Sequence, residues 1–177
     1  MKRPIVQHPN EVLRIISDKV TTKEFGSREL EALLNDMSDT LHFESDGVAL
    51  AAPQIGVNKR IFVIAGKVFT FDEPGTPTSI PDDVVCINPE ILKISRDRKL
   101  MHEGCLSVRP LYGDIRRASR VTISAQDKDG NHFELAGTGL LAEIFQHEID
   151  HLNGILFIDT ALNIKDGEPR TSEKTKE

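Results

Sequence analysis

The chain has 177 residues, 38% of them apolar and 28% charged, and its 22 Lys and Arg against 28 Asp and Glu leave a net charge of −6. That is the size and composition of one ordinary globular domain, able to bury a core without a disulfide framework, and it excludes a disordered or fibrous chain. The acidic balance speaks against a sequence-specific nucleic-acid footprint, no apolar run is long enough for a membrane span, and no apolar signal core follows the basic residues at the start.

The first predicted element is a helix within residues 21–43. Leu30, Leu33, Leu34, Met37 and Leu41 recur at steps of three and four, and Ser27 is placed to cap it with Glu29 in the first turn. Short strand-like runs follow at residues 61–64 and 68–71. Residues 72–83 hold three prolines and a glycine and read as a long surface loop. Strand character resumes at 84–87 and 91–94, then at Val121, Ile123 and Ala125, and at Phe133 and Leu135, with Asp129-Gly130 as the hairpin turn between the last two. A second helix spans about 138–153, with Gly154 as its C-terminal stop. Residues 1–163 read as a single domain and 164–177 as a polar, flexible tail. Strands and helices in one domain predict an α+β fold.

The second helix contains His147-Glu148-Ile149-Asp150-His151. At about 100° per residue the two imidazoles share one face, in an arc with Leu140 and Ile144. Two histidines on a core-facing stripe need a partner to offset their burial, and a metal ion supplies one. Glu148 lies beside the pair without joining it, the position from which a carboxylate takes a proton from an activated water. Asp150 points away from that arc, towards a partner such as Arg117. A catalytic site usually takes three protein ligands. Downstream, only Asp159, Asp166, Glu168, Glu173 and Glu177 offer themselves, and no His follows His151. Upstream, Cys105 stands out between glycine and serine, and a thiolate with two imidazoles suits iron(II) or zinc. Cys86, within an apolar run, reads as core filler.

Three blocks, Gly47-Val48-Ala49-Leu50-Ala51-Ala52-Pro53-Gln54, Glu103-Gly104-Cys105-Leu106-Ser107 and His147-Glu148-Ile149-Asp150-His151, come in an order and at spacings that resemble peptide deformylase. Cys86-Ile87-Asn88-Pro89-Glu90 is also similar, and the likeness runs from about residue 5 to 159. The resemblance implies antiparallel sheets packed around a central helix carrying the histidine motif. It implies an enzyme that removes the N-formyl group from the formyl-methionine of nascent polypeptides and releases formate. Its ligands would be Cys105, His147 and His151, holding one divalent metal. Iron(II) is the expected native ion, and zinc, nickel or cobalt can take its place. Metal-bound water or hydroxide would attack the formyl carbon, with Glu148 as general base and later acid. The oxyanion would be met by the Gln54 side chain and the Leu106 backbone N–H. Gly47, Val48 and Ala49 would pair with an extended peptide, and Leu140 and Ile144 would line the methionine pocket.

Two departures stand out. Ala49 occupies a position where the family usually has glycine, so a modest effect on substrate fit is expected. Arg109 stands where proline is common, so no substrate contact carries over to residues 109–112. Expected surroundings are a bacterial cytoplasm, a monomer, no membrane, and at most transient contact with a ribosome. The low cysteine count fits a reducing compartment, which a thiolate–iron site would require. A zinc peptidase of the same histidine motif would leave the first block unexplained. A non-catalytic homologue sits badly with the presence of all three ligands, Glu148 and Gln54.

Overall fold

The computed structural model describes residues 1–70 and 80–167. Helix α1 is Arg28–Phe43, capped by Ser27, whose hydroxyl accepts from Leu30 N. It lays Leu30, Leu34, Met37 and Leu41 into the core. Strands follow as β1 (Ala49–Ala51), β2 (Ile61–Ile64), β3 (Val84–Ile94), β4 (Arg98–Gly104), β5 (Leu111–Ala118), β6 (Arg120–Gln126) and β7 (His132–Thr138), then helix α2 (Gly139–Leu152) and strand β8 (Leu162–Asp166). Five strands form an antiparallel sheet in the order β1-β2-β3-β6-β7, and β4-β5-β8 form a second. Helix α2 touches β1, β2, β6 and β7 of the first sheet and β5 of the second. The α+β expectation therefore holds.

Local chemistry explains the joints. β3 is one strand interrupted by a bulge, where the sequence suggests two. Asn88 sits there with φ 51, a left-handed conformation that asparagine tolerates. Its amide accepts from Val20 N and donates to Val20 O and Gln126 Oε1, and Pro89, with no N–H to place, follows. The β6–β7 turn forms at Asp129-Gly130 as expected, with Gly130 at φ 87 and Asp127 Oδ1 accepting from the N–H of Asp129 and Asn131.

Two expectations change. Residues 66–70 form a 3-10 turn where a strand over 68–71 is expected, closed by Val68 N to Ala65 O and by Thr70 Oγ1 to Lys67 O, and among the described residues no strand pairs with them. β8 pairs with β5 and crosses position 164, so ordered structure runs into the stretch whose polarity suggests a tail. Most of the 72–83 loop and residues 168–177 lie outside the described residues.

Candidate metal centre

Helix α2 presents His147 and His151 one turn apart, and β4 ends so that the next residue, Cys105, faces them. One ligand atom from each of Cys105, His147 and His151 lies within 4.8 Å of the others. Cys105 Sγ is 3.1 Å from His151 Nε2. All three are substantially buried: Cys105 packs with Leu13, Val108, Leu156 and Phe157 in a small cluster, and His151 is 1% exposed. Just before it, Gly104 leaves room for Tyr112 on the paired strand β5, because a Cβ there would lie 2.3 Å from Tyr112 Cε1.

The shell behind the ligands is charged and buried. Glu103 Oε2 lies 2.9 Å from His147 Nδ1, and Arg117 donates to both Glu103 oxygens at 2.7 and 3.0 Å. Arg117 also reaches Asp150 at 2.5 Å, which realises the pairing expected of Asp150. Burial would raise the Glu103 pKa, but the bonds from His147 and Arg117 outweigh it and hold it at about 2. An ionised Glu103 only accepts, so Nδ1 is the nitrogen that keeps a proton, and in the neutral ring Nε2 is the one free to bind a metal. Burial alone would also lower His147, yet its contacts with Cys105 and Glu103 hold it well above its ordinary value. Burial and the charge of His147 push His151 well down.

Glu148 is 4% exposed, and burial pushes its carboxyl up to about 7. Its Oε2 and His151 Nδ1 are buried without a hydrogen-bond partner among the described residues. A thiolate, two imidazoles and an unsatisfied carboxylate beside them are a donor set suited to a borderline divalent cation and its water.

Gln54 lies in a 3-10 turn, Ala52–Ile55, directly after β1. Ala51 N donates to its Oε1 at 2.8 Å, which turns Nε2 towards Cys105 Sγ at 3.5 Å and Ser107 Oγ at 3.2 Å. Leu106 follows Cys105 and is tied by its carbonyl to Gln7 Nε2 at 2.8 Å. One apolar cluster contains Ala49, Leu106 and Ile144, with Val48 and Leu140 packed against it. Gly47 and Val48 lead into β1. The structure thus brings the residues singled out in all three blocks to one region. Ala49 is in regular strand pairing with Ile64 and is not among the residues at positive φ, so its Cβ strains nothing in the backbone.

Sequence reasoning gave no role to Glu103 or Ser107, although both stand in the quoted block. The signal is the charge itself: an acid two residues from a candidate ligand cysteine needs a cationic or N–H partner once buried. Asp159, a possible downstream ligand by sequence, lies instead against Arg14. Cys86 is fully buried in β3 opposite Phe62, and burial pushes its thiol up, as suits core filler.

A model of the polypeptide deformylase family matches residues 2–166. The peptide deformylase of Acidobacterium capsulatum is 45% identical over 159 residues, covering 89% of this chain and 85% of its own. That of Zymomonas mobilis is 41% identical over 164 residues, covering 93% and 88%. A solved peptide deformylase from Legionella pneumophila superposes with a TM-score of 0.79 at 42% identity, covering 92% of this chain and 88% of its own. A Met-Ala-Ser-bound class I type b peptide deformylase from Acinetobacter baumannii gives 0.78 at 36% identity, covering 90% and 99%.

Proposed function

We propose, for a chain that belongs to the polypeptide deformylase family, that it removes the formyl group from the N-terminal formyl-methionine of new polypeptides, with Cys105, His147 and His151 as ligands of one divalent metal. The enzyme is a metal-dependent hydrolase. The observation that carries the finer reading is the buried Cys105, His147 and His151 cluster with Glu148 unpartnered beside it.

A divalent cation held there supplies the Lewis acidity that makes water nucleophilic at neutral pH. Glu148, whose Oε2 has no hydrogen-bond partner among the described residues, would take the proton from the water that attacks the formyl carbon. It then returns the proton to the departing amine nitrogen, so formate and a free amino terminus result. As the formyl carbon becomes tetrahedral its oxygen gains negative charge. Gln54 Nε2, oriented by the Ala51 N–H, and the Leu106 N–H are the donors that meet it. The backbone of Gly47, Val48 and Ala49 offers strand pairing to the peptide, at the outer edge of the five-stranded sheet. Leu140 and Ile144, on the helix face that carries the histidines, form the wall against the methionine side chain. The Acinetobacter protein is solved with Met-Ala-Ser bound, which supports a peptide beginning with methionine as the ligand.

Iron(II) is the proposed native metal, on the softness of the thiolate, with zinc, nickel or cobalt as substitutes. The protein acts as a monomer in a bacterial cytoplasm, meeting its substrates near the ribosome. Formate release from formyl-Met-Ala by anaerobically purified, iron- or nickel-loaded protein tests the reading. No formate, or cleavage of unformylated peptides instead, overturns it.

A further inference from the structure

Resting on the deformylase reading above, we infer that Arg109 is a positioning residue for the part of the peptide that follows methionine. The turn carrying Cys105 and Leu106 continues to Arg109, while the loop between α1 and β1 carries Glu44, Ser45 and Asp46 into Gly47. Arg109 bridges the two: Nη1 donates to Glu44 Oε2 at 2.9 Å and Nη2 to Asp46 Oδ1 at 2.5 Å. Lys67 adds a tie to the same loop, donating to Ser45 O at 3.2 Å. The Arg109 side chain is 40% exposed, while those of Glu44 and Asp46 are 17% and 24% exposed. One wall of the reaction site is thus bound to the loop that leads into the edge strand.

The direction of the bound peptide follows from the same geometry. Gln54 Nε2 stands beside Cys105, so the formyl group lies at the Gln54 end of β1. A peptide paired with β1 leaves that end towards Gly47, advancing about 3.3 Å per residue. Its methionine falls beside Ala49 and Val48, and the residues that follow reach Gly47 and the turn carrying Asp46, closed by Gly47 N to Glu44 O. Arg109 therefore fixes the turn that the second and third residues meet. Among the described residues its hydrogen bonds go to Glu44 and Asp46, not to the proposed metal ligands or Glu148. The chain has arginine here where the resemblance leads one to expect proline, so the resemblance assigns this position no role.

The test compares formyl-Met-Ala with formyl-Met-Ala-Ser on the full-length, nickel-loaded enzyme, reading kcat and KM separately from formate release. Arg109→Gln is expected to raise KM for the tripeptide about three- to tenfold, with a smaller rise for the dipeptide and little change in kcat. Glu44→Gln combined with Asp46→Asn breaks the bridge from the other side and should do the same. Arg109→Lys, which reaches one carboxylate but not both, should fall between. Raising ionic strength should move the native enzyme towards the Arg109→Gln values, because the bridge is partly exposed. A tripeptide-to-dipeptide KM ratio that stays at the native value in both broken-bridge variants overturns the inference, as does a loss confined to kcat. Failure of the deformylase reading shows in the native enzyme alone, as no formate from either peptide, and overturns both.

Discussion

His147 Nδ1 donates to Glu103 Oε2 across 2.9 Å, and Arg117 holds the same carboxylate by both oxygens. The orientation of the imidazole is thus set from behind. Glu103→Gln keeps the shape but removes the charge that fixes the ring's tautomer. Metal affinity should fall about ten- to a hundredfold, measured by competition against a chromogenic chelator. The same change leaves the buried Arg117 with only Asp150. Stability should drop by about 3 kcal/mol in urea unfolding of the metal-free protein. Native metal affinity in Glu103→Gln would remove Glu103 from the site.

Glu148 separates binding from turnover. It is not among the three clustered ligand residues, and its Oε2 has no hydrogen-bond partner among the described residues. Glu148→Ala should therefore keep one metal per chain while formate release falls about a hundred- to ten-thousandfold. Metal content by atomic absorption, read beside single-turnover kinetics, checks both halves. Turnover within a few-fold of native would refute its role as the base.

Ala49 tests how far the family pattern constrains this chain. Its backbone is extended and paired with Ile64, so glycine gains no conformation that alanine lacks. Ala49→Gly should cost about 0.5–1 kcal/mol through backbone entropy. KM for formyl-Met-Ala should shift by less than about threefold, a modest change in fit. A tenfold fall in KM would mean that the Ala49 Cβ obstructs the peptide.

Much of this site is legible in the sequence because its chemistry is carried by short blocks on regular elements. The α2 histidines obey helix periodicity, Ser27 caps α1 as its spacing says, and Asp129-Gly130 turns the hairpin. The strands β4 and β5 escape notice for a physical reason. Their inward positions include Glu103 and Arg117, which satisfy each other instead of meeting an apolar core, so no apolar alternation marks them. β8 escapes because all five of its residues are exposed and its place comes from pairing with β5. The 3-10 turn at residues 66–70 resembles a strand in composition, and only its local hydrogen bonds decide otherwise. The shell around Cys105 depends on residues far apart in the chain, such as Gln7 and Leu106, which no local pattern connects.

Asp159 gives the clearest contrast between a ligand and a structural carboxylate. It is bonded by Arg14 Nη1 at 2.5 Å and Nη2 at 2.9 Å, and it accepts from Leu156 N at 2.9 Å. The pairing with Arg14 outweighs partial burial and holds its pKa below the ordinary carboxylate value. A depressed folded pKa means the contribution is complete above the unfolded value of about 3.9 and is lost as pH falls through the folded one. Asp159→Asn should therefore lower stability at pH 7, by no more than about 1 kcal/mol because both partners are about one-third exposed. The difference from native should shrink as the pH is lowered from 5 towards 3, followed by urea unfolding at each pH. Metal content should stay at one per chain throughout the neutral range. Loss of the metal in Asp159→Asn at pH 7 would place Asp159 in the coordination sphere, and a stability difference that grows on acidification would refute the ion pair with Arg14.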